Sequence, residues 1–134
     1  MGSDSIRIVR ARDVMHKRIV SIDGMATASE AAAMMRAEKT SSLLINKRSP
    51  DDAWAILVIQ DFIKGVIIPG LSPSEVHVYE IMTKPIITVP ADMDIRYAAR
   101  LIYRADIRRA PVEDGGKLIG MISLSSLILD NDLF

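Results

Sequence analysis

Asp61, Ser123 and the pair Arg108-Arg109 are the side chains best placed in the sequence to do chemistry, and the chemistry they suit is binding. Asp61 falls in the first turn of a short helix after the apolar run Ala53 to Val58, where the helix dipole stabilises a carboxylate by ~0.3–1 kcal/mol with or without a ligand. Ser123 follows Leu118 to Ile122 at the matching junction, where a hydroxyl can cap the next helix. Arg108 and Arg109 set two guanidinium groups side by side ahead of Ala110-Pro111-Val112, suited to a phosphate or to solvent. No nucleophile stands beside a base and an orienting group, so no catalytic residue and no enzyme is implied. His16 and His77 are separated and unaccompanied, which makes them surface histidines rather than metal ligands or acid-base groups. Cysteine is absent, excluding disulfides and thiolate metal sites, and no metal site is expected.

The elements that must position these residues are short. Ile19 to Ile22 and Ile86 to Val89 are β-branched runs, each followed by a break, and read as strands. Ile6 to Val9 is β-prone and leads into a helical turn around Ala11 to Met15, with a second turn over Val78 to Met82. Thr27-Ala28-Ser29-Glu30 has the form of a capping box and opens a helix that runs to Glu38. Asp94 stands in the corresponding place before a helical pattern through Ala98, Leu101, Ile102 and Ala105. Ser42 to Asn46 and Arg109 to Glu113 are the next strands, and Pro111 argues for an edge or strand-end position in the latter. Ala53 to Val58 and Leu118 to Ile122 are the last strands. Trp54 begins the first of them as a packing residue.

This inventory is written twice. Asp13 to Asn46 runs without a gap onto Glu80 to Glu113 at an offset of 67 (Met82 minus Met15), with identities at Met15/Met82, Lys17/Lys84, Ile19/Ile86, Ala31/Ala98 and Ala32/Ala99. The turn Lys47 to Asp52 answers to the turn at Asp114-Gly115-Gly116, and beyond it the offset falls by two to 65, so that the first connection is two residues longer, pairing Ala55 with Gly120, Val58 with Ser123 and Asp61 with Ser126. A matched hydrophobic pattern of this length marks an internal duplication. Arg96, Arg100, Arg104 and Arg108 recur at four-residue spacing, a basic ridge if one helix carries them all. Their counterparts Ser29, Ala33, Ala37 and Ser41 form a ridge of small residues that suits close packing against another helix.

The duplicated unit resembles the cystathionine-β-synthase-type (CBS) domain, in the tandem form called a Bateman module. The resemblance rests on Asp13-Val14-Met15 and Glu80-Ile81-Met82-Thr83-Lys84-Pro85, on Ile86 to Pro90, on Ile107 to Val112, and on Gly120-Met121-Ile122-Ser123. It implies an α+β fold of two strand-helix-strand-strand-helix repeats about a pseudo-two-fold axis: an arm over 1–12, repeat one over 13–66, a linker over 67–79 and repeat two over 80–134. It also implies an adenosyl ligand such as AMP, ADP, ATP or S-adenosylmethionine in the cleft between the repeats, with Ser21, Ser42, Asp61, Thr88, Arg108, Arg109, Ala110, Pro111, Ser123 and Ser126 as its candidate contacts. The family's Gly-x-x-Ser/Thr-x-x-Asp signature would set hydroxyl and helix terminus toward phosphate and carboxylate toward ribose. Repeat one keeps Asp61 but has Ala55 and Val58 in the other two places; repeat two keeps Gly120 and Ser123 but has Ser126 for the acid. Asp61 therefore reads either as a ribose contact or as a structural carboxylate, and Ser123 either as a phosphate contact or as a cap.

Composition fits such a module. The 134 residues include 49% hydrophobic but only 4% aromatic side chains, so the core must be aliphatic, with eight methionines for adaptable packing. Lys plus Arg and Asp plus Glu number 17 each, which with the sparse aromatics argues against nucleic acid as a partner. No apolar run nears the roughly 20 residues of a membrane helix, and no targeting signal opens the chain, so a cytoplasmic, non-membrane protein is expected. The expected assembly is a homodimer through helical faces, relaying ligand occupancy as changed dimer geometry or affinity for a protein partner. The competing expectation is a structural interaction module whose nucleotide sites have degenerated.

Overall fold

The structure, a computed structural model, describes residues 8–131. The strand expected over Ile6 to Val9 and the arm over 1–12 lie partly outside the described residues, and Ile8 and Val9 are irregular. The chain forms α1 (Ala11–Val14), β1 (Ser21–Ile22), α2 (Ala28–Glu38), β2 (Ser42–Ile45), β3 (Ala55–Val58), α3 (Ile59–Phe62) and a π-helical turn (Ile63–Ile67). There follow α4 (Val78–Ile81), β4 (Val89–Pro90), α5 (Ile95–Arg104), β5 (Arg109–Asp114), β6 (Lys117–Ser123) and α6 (Ser126–Leu129). They make an α+β fold with two three-stranded sheets, β1-β2-β3 and β4-β5-β6.

The compact units do not follow the sequence repeats. A central unit spans Val20–Ile86, and a terminal unit joins the chain up to Ile19 with the chain from Ile87 onward. Each opening helix thus belongs with the other repeat's sheet. In the terminal unit, the N–H groups of Ala11 and Arg12 donate to the carbonyls of Met93 and Ala91; in the central unit, Val78 and Tyr79 donate to Ala26 and Gly24. These four bonds are equivalent at the repeat offset. The second residue after each helix then forms a two-way bridge with the last strand, His16 with Met121 and Thr83 with Ile56.

The central core gathers Ile22, Met35, Leu43, Ile45, Leu57 and Val78, the last from α4. Burying each such side chain contributes about 1.5–3 kcal/mol, so a four-residue helix too short to persist alone is held by its docked face. Thr27 caps α2 as its sequence implies: its hydroxyl accepts from the Glu30 N–H at 3.1 Å, and Glu30 accepts from the Thr27 N–H at 2.9 Å. The Thr27 N–H first, and the Thr27 hydroxyl second, donate to the Glu30 carboxylate and hold its carboxyl below the usual range. The segment after the π-helical turn supplies further acceptors for α2, the Pro73 and Val76 carbonyls taking the N–H groups of Ser29 and Ala28.

In the terminal unit Val14, Val89, Ala98, Ile102, Val112 and Ile122 form the core. Asp94 caps α5, its carboxylate accepting from the Arg96 N–H at 2.9 Å. Gly120 is required by close approach, since a Cβ there would lie 2.6 Å from both the His16 carbonyl and the Met15 sulfur.

Two sequence expectations are corrected. Pro111 is neither at an edge nor at a strand end: β5 is the central strand of its sheet. The sheet tolerates it because β4 is short. In the central unit the Leu44 N–H donates to the Val20 carbonyl; Pro111, its counterpart, has no N–H to give. Accordingly β1 begins at Ser21 opposite Leu44, whereas β4 begins one position later, at Val89 opposite Val112. The four-residue arginine ridge is also broken, because α5 ends at Arg104 and Asp106 turns left-handed at φ 56°. Arg108 lies beyond the helix, as Ser41 lies beyond α2.

Candidate functional site

Ser21, Ser42 and Asp61 belong to the central unit. Ser21 is exposed on β1, while Ser42 is buried opposite Val58 across β2 and β3. Asp61, only 8% exposed, sits in the first turn of α3. Its Oδ2 accepts from the Val58 N–H at 2.8 Å and its Oδ1 from the Thr83 hydroxyl at 3.1 Å. The carboxylate therefore fastens β3, α3 and the exit of α4 together. Carboxylate oxygens can each accept a second bond, so a diol contact remains chemically open, but the near-complete burial leaves it little access.

The remaining candidates belong to the terminal unit. Ser126, buried in α6, does Asp61's fastening with a shorter side chain: its Oγ accepts from the Ser123 N–H at 2.9 Å and donates to the Ser123 carbonyl at 2.8 Å. The Ser123 hydroxyl accepts from the Ser126 N–H at 3.1 Å, so it caps α6, and it pairs at 3.1 Å with the Ser125 hydroxyl. Ala110 and Pro111 are buried, so their side chains serve the core and only their backbone faces a neighbour. Thr88 is half-buried one position ahead of β4, left out of the ladder by Pro111.

Arg109 differs from all of these. It stands opposite Ser123 in the β5–β6 register and is partly buried, yet no carboxylate pairs with it among the described residues. Burial first, and the like charge of Arg108 second, lower its affinity for its proton. A desolvated guanidinium gains most from an anion that restores its lost hydrogen bonds. Arg109, Arg108 and Ser123 thus form one electropositive corner, with the Leu124 N–H already given to the Arg108 carbonyl.

His16 is exposed and contacts Asp130 at 2.8 Å, and His77 stacks on Tyr79 with ring centroids 5.6 Å apart. Among the described residues no three His, Asp or Glu side chains gather to hold a metal ion, and no helix is long and apolar enough to cross a membrane. Sequence reasoning gave the 47–52 loop no role beyond turning the chain. In the structure Lys47, Arg48 and Asp52 line a recess with Tyr79 and Lys84. The available signal was the two-residue excess of that loop together with its adjacent Lys and Arg.

A sequence model of the CBS domain family matches residues 11–66 and 78–129. A protein of Methanopyrus kandleri is 32% identical over 124 residues, covering 92% of this chain and 63% of that protein. A mitochondrial CBS domain-containing protein of Arabidopsis thaliana is 28% identical over 126 residues, covering 87% and 61%. The chain spans about three fifths of the length of these curated relatives. Among solved structures, a hexameric CBS-CP12 protein from bloom-forming cyanobacteria is similar with a TM-score of 0.87 and 34% identity, over 93% of this chain and 72% of that one. A conserved protein from Pyrococcus horikoshii follows at TM-score 0.80 and 25% identity, over 89% of each chain.

Proposed function

Since the chain belongs to the CBS domain family and carries the domain twice, we propose that it is a regulatory module that binds an adenosyl compound, with the phosphorylated forms AMP, ADP and ATP preferred over S-adenosylmethionine. Tandem CBS domains are generally regulatory, ligand-binding modules, and CBS proteins are typically nonenzymatic. The observation that carries the preference is Arg109, a partly buried guanidinium beside Ser123 with no carboxylate partner among the described residues. In this reading Arg109 and Arg108 meet the phosphate, while Thr88 and the backbone of Ala110 and Pro111 lie against the rest of the ligand. Ser21, Ser42 and Asp61 would offer a second, weaker position, because Asp61 is already engaged by Val58 and Thr83. Occupancy acts on output only through differential affinity for two states. The output proposed is the geometry of a homodimer, formed through the exposed row Ile59, Ile63 and Ile67 with the neighbouring Ile68 and Leu71. A contiguous exposed apolar row of this kind marks an association surface.

A second reading is an interaction module whose nucleotide positions serve only the fold. It is favoured by Asp61 and Ser126, both occupied with fastening their own helices. Calorimetric titration with AMP, ADP, ATP and S-adenosylmethionine separates the two, with the protein's mass followed by sedimentation. The expected result is a dimer that binds at least one nucleotide, with affinity reduced roughly tenfold or more by Arg109→Ala. Absence of heat at about 1 mM of every ligand, a concentration corresponding to only about 4 kcal/mol of binding free energy, transfers the case to the interaction module.

A further inference from the structure

The central sheet has two ends. Ser42 and Val58 face each other at one, close to Asp61; Ile45 and Ala55 face each other at the other, where Ile22 lies beside Ile45. At this second end a recess of about 350 Å³ opens between the β1–α2 turn, the loop after β2, and α4. That volume suits a small metabolite. Its buried lining is apolar, with Ile45 and Ala55 beside the half-buried Met82, and its charged lining sets the three cations Lys47, Arg48 and Lys84 against the carboxylates Asp23 and Asp52.

The charges are not equally committed. Lys84 pairs with Asp52, whose other oxygen accepts from the Arg48 N–H. Asp23, the remaining carboxylate of the lining, accepts from the Met25 N–H at 2.8 Å. Lys47 and Arg48 have no carboxylate partner among the described residues: the Lys47 ammonium lies 4.5 Å from the Trp54 ring and the Arg48 guanidinium 5.9 Å from the Tyr79 ring. An aromatic face positions a cation without neutralising it. Both charges therefore remain available to an anion.

The terminal unit fills the equivalent corner from within. At the repeat offset Arg12 replaces Tyr79, Asp92 replaces Met25 and Asp114 replaces Lys47. Arg12 binds Asp92 at 2.9 Å and Asp114 at 3.4 Å, closing that corner with its own carboxylates. The central unit has reversed the sign at the Lys47 position and carries Met25 in place of Asp92, and its own carboxylate Asp52 is taken by Lys84.

We propose that this recess binds a small organic phosphate, the phosphate on Lys47 and Arg48 and the carbon skeleton against Ile45, Ala55 and Met82. A dianion answers two unneutralised cations where a carboxylate answers one. The residues are distinct from those of the adenosyl reading, so either can fail alone. Phenyl phosphate titrated into the isotope-labelled full chain, followed by amide NMR, tests the recess. Saturable shifts are expected at Gly24, Asn46, Arg48 and Tyr79, with affinity falling roughly tenfold in Arg48→Ala and in Lys47→Ala and benzoate binding more weakly than phenyl phosphate. Arg48 is exposed and Lys47 half-buried, and the dispersion of each variant's spectrum reports that it is folded. Absence of saturation at these amides, shifts confined to Arg109, Ala110 and Ser123, affinity unchanged in both variants, or benzoate binding as tightly would each overturn the proposal. Shifts confined to the Arg109 corner would do so while supporting the nucleotide reading.

Discussion

Replacing Asp61 with alanine separates a structural carboxylate from a ligand contact. The change removes the acceptor of the Val58 N–H at 2.8 Å and of the Thr83 hydroxyl at 3.1 Å. Val58 is half-buried at the end of β3, so its orphaned amide costs about 1–3 kcal/mol. Thr83 is exposed, and water recovers most of its bond, leaving a loss of at most about 1 kcal/mol. The sum is about 1–4 kcal/mol, with a middle value of about 2. Asp61→Ser copies the solution at Ser126, whose hydroxyl takes the equivalent Ser123 N–H at 2.9 Å, and so keeps the costlier bond. Its expected loss is about 1 kcal/mol. Urea unfolding followed by the fluorescence of Trp54, the one tryptophan and a residue of the same unit, measures both. With a slope of about 1–3 kcal/mol per molar, the alanine variant should unfold roughly 1 M earlier and the serine variant less than half as far. An alanine variant with the wild-type midpoint would refute the fastening role, as would a serine variant as damaged as the alanine one.

Gly65 offers a second test, because a Cβ there would lie 2.9 Å from Ile81 Cβ and nearer still to its Cγ2. Gly65→Ala should cost about 1–3 kcal/mol by overpacking the docked α4; adding Ile81→Ala should cost less than the sum of the two single changes, and strict additivity would count against the contact. Asp52 supplies an acid-side prediction: the Lys84 ammonium first, then the Arg48 N–H, hold its carboxyl at about 2, below the ordinary 3.8. A depressed carboxyl pKa adds stability above the unfolded value that is lost as pH falls toward the folded one. The wild type's advantage over Asp52→Asn should therefore be full at pH ~6 and vanish between about 4 and about 2. A gap that persists at the acid end of urea midpoints measured against pH would contradict the pairing.

Much of this protein follows from local chemistry and was readable as such. The repeat set the order of elements, since a hydrophobic period survives substitution of the individual residues that carry it. The capping box at Thr27 and Glu30 and the cap at Asp94 were explicit because a cap and its amide are at most three positions apart. The candidate site was only half legible. Arg109 and Ser123 were identified by type and place, but the property that distinguishes Arg109, burial without a carboxylate, depends on residues far along the chain.

What sequence alone determined was therefore the duplication, the elements and the family they resemble. Tertiary structure decided which sheet each opening helix joins, and there the repeat itself hides the answer. Ala11 and Val78 make equivalent backbone bonds, so a local pattern cannot say which copy receives which helix. It also decided that Pro111 lies in a central strand, because β4 begins late enough to ask nothing of its missing N–H. Asp61 acquired its fastening role from Thr83, 22 positions away, and the recess its open charge from the contrast between Lys47 and Asp114. Pairings across that distance depend on how the chain closes on itself, which residue types and spacing along a strand or helix leave undetermined.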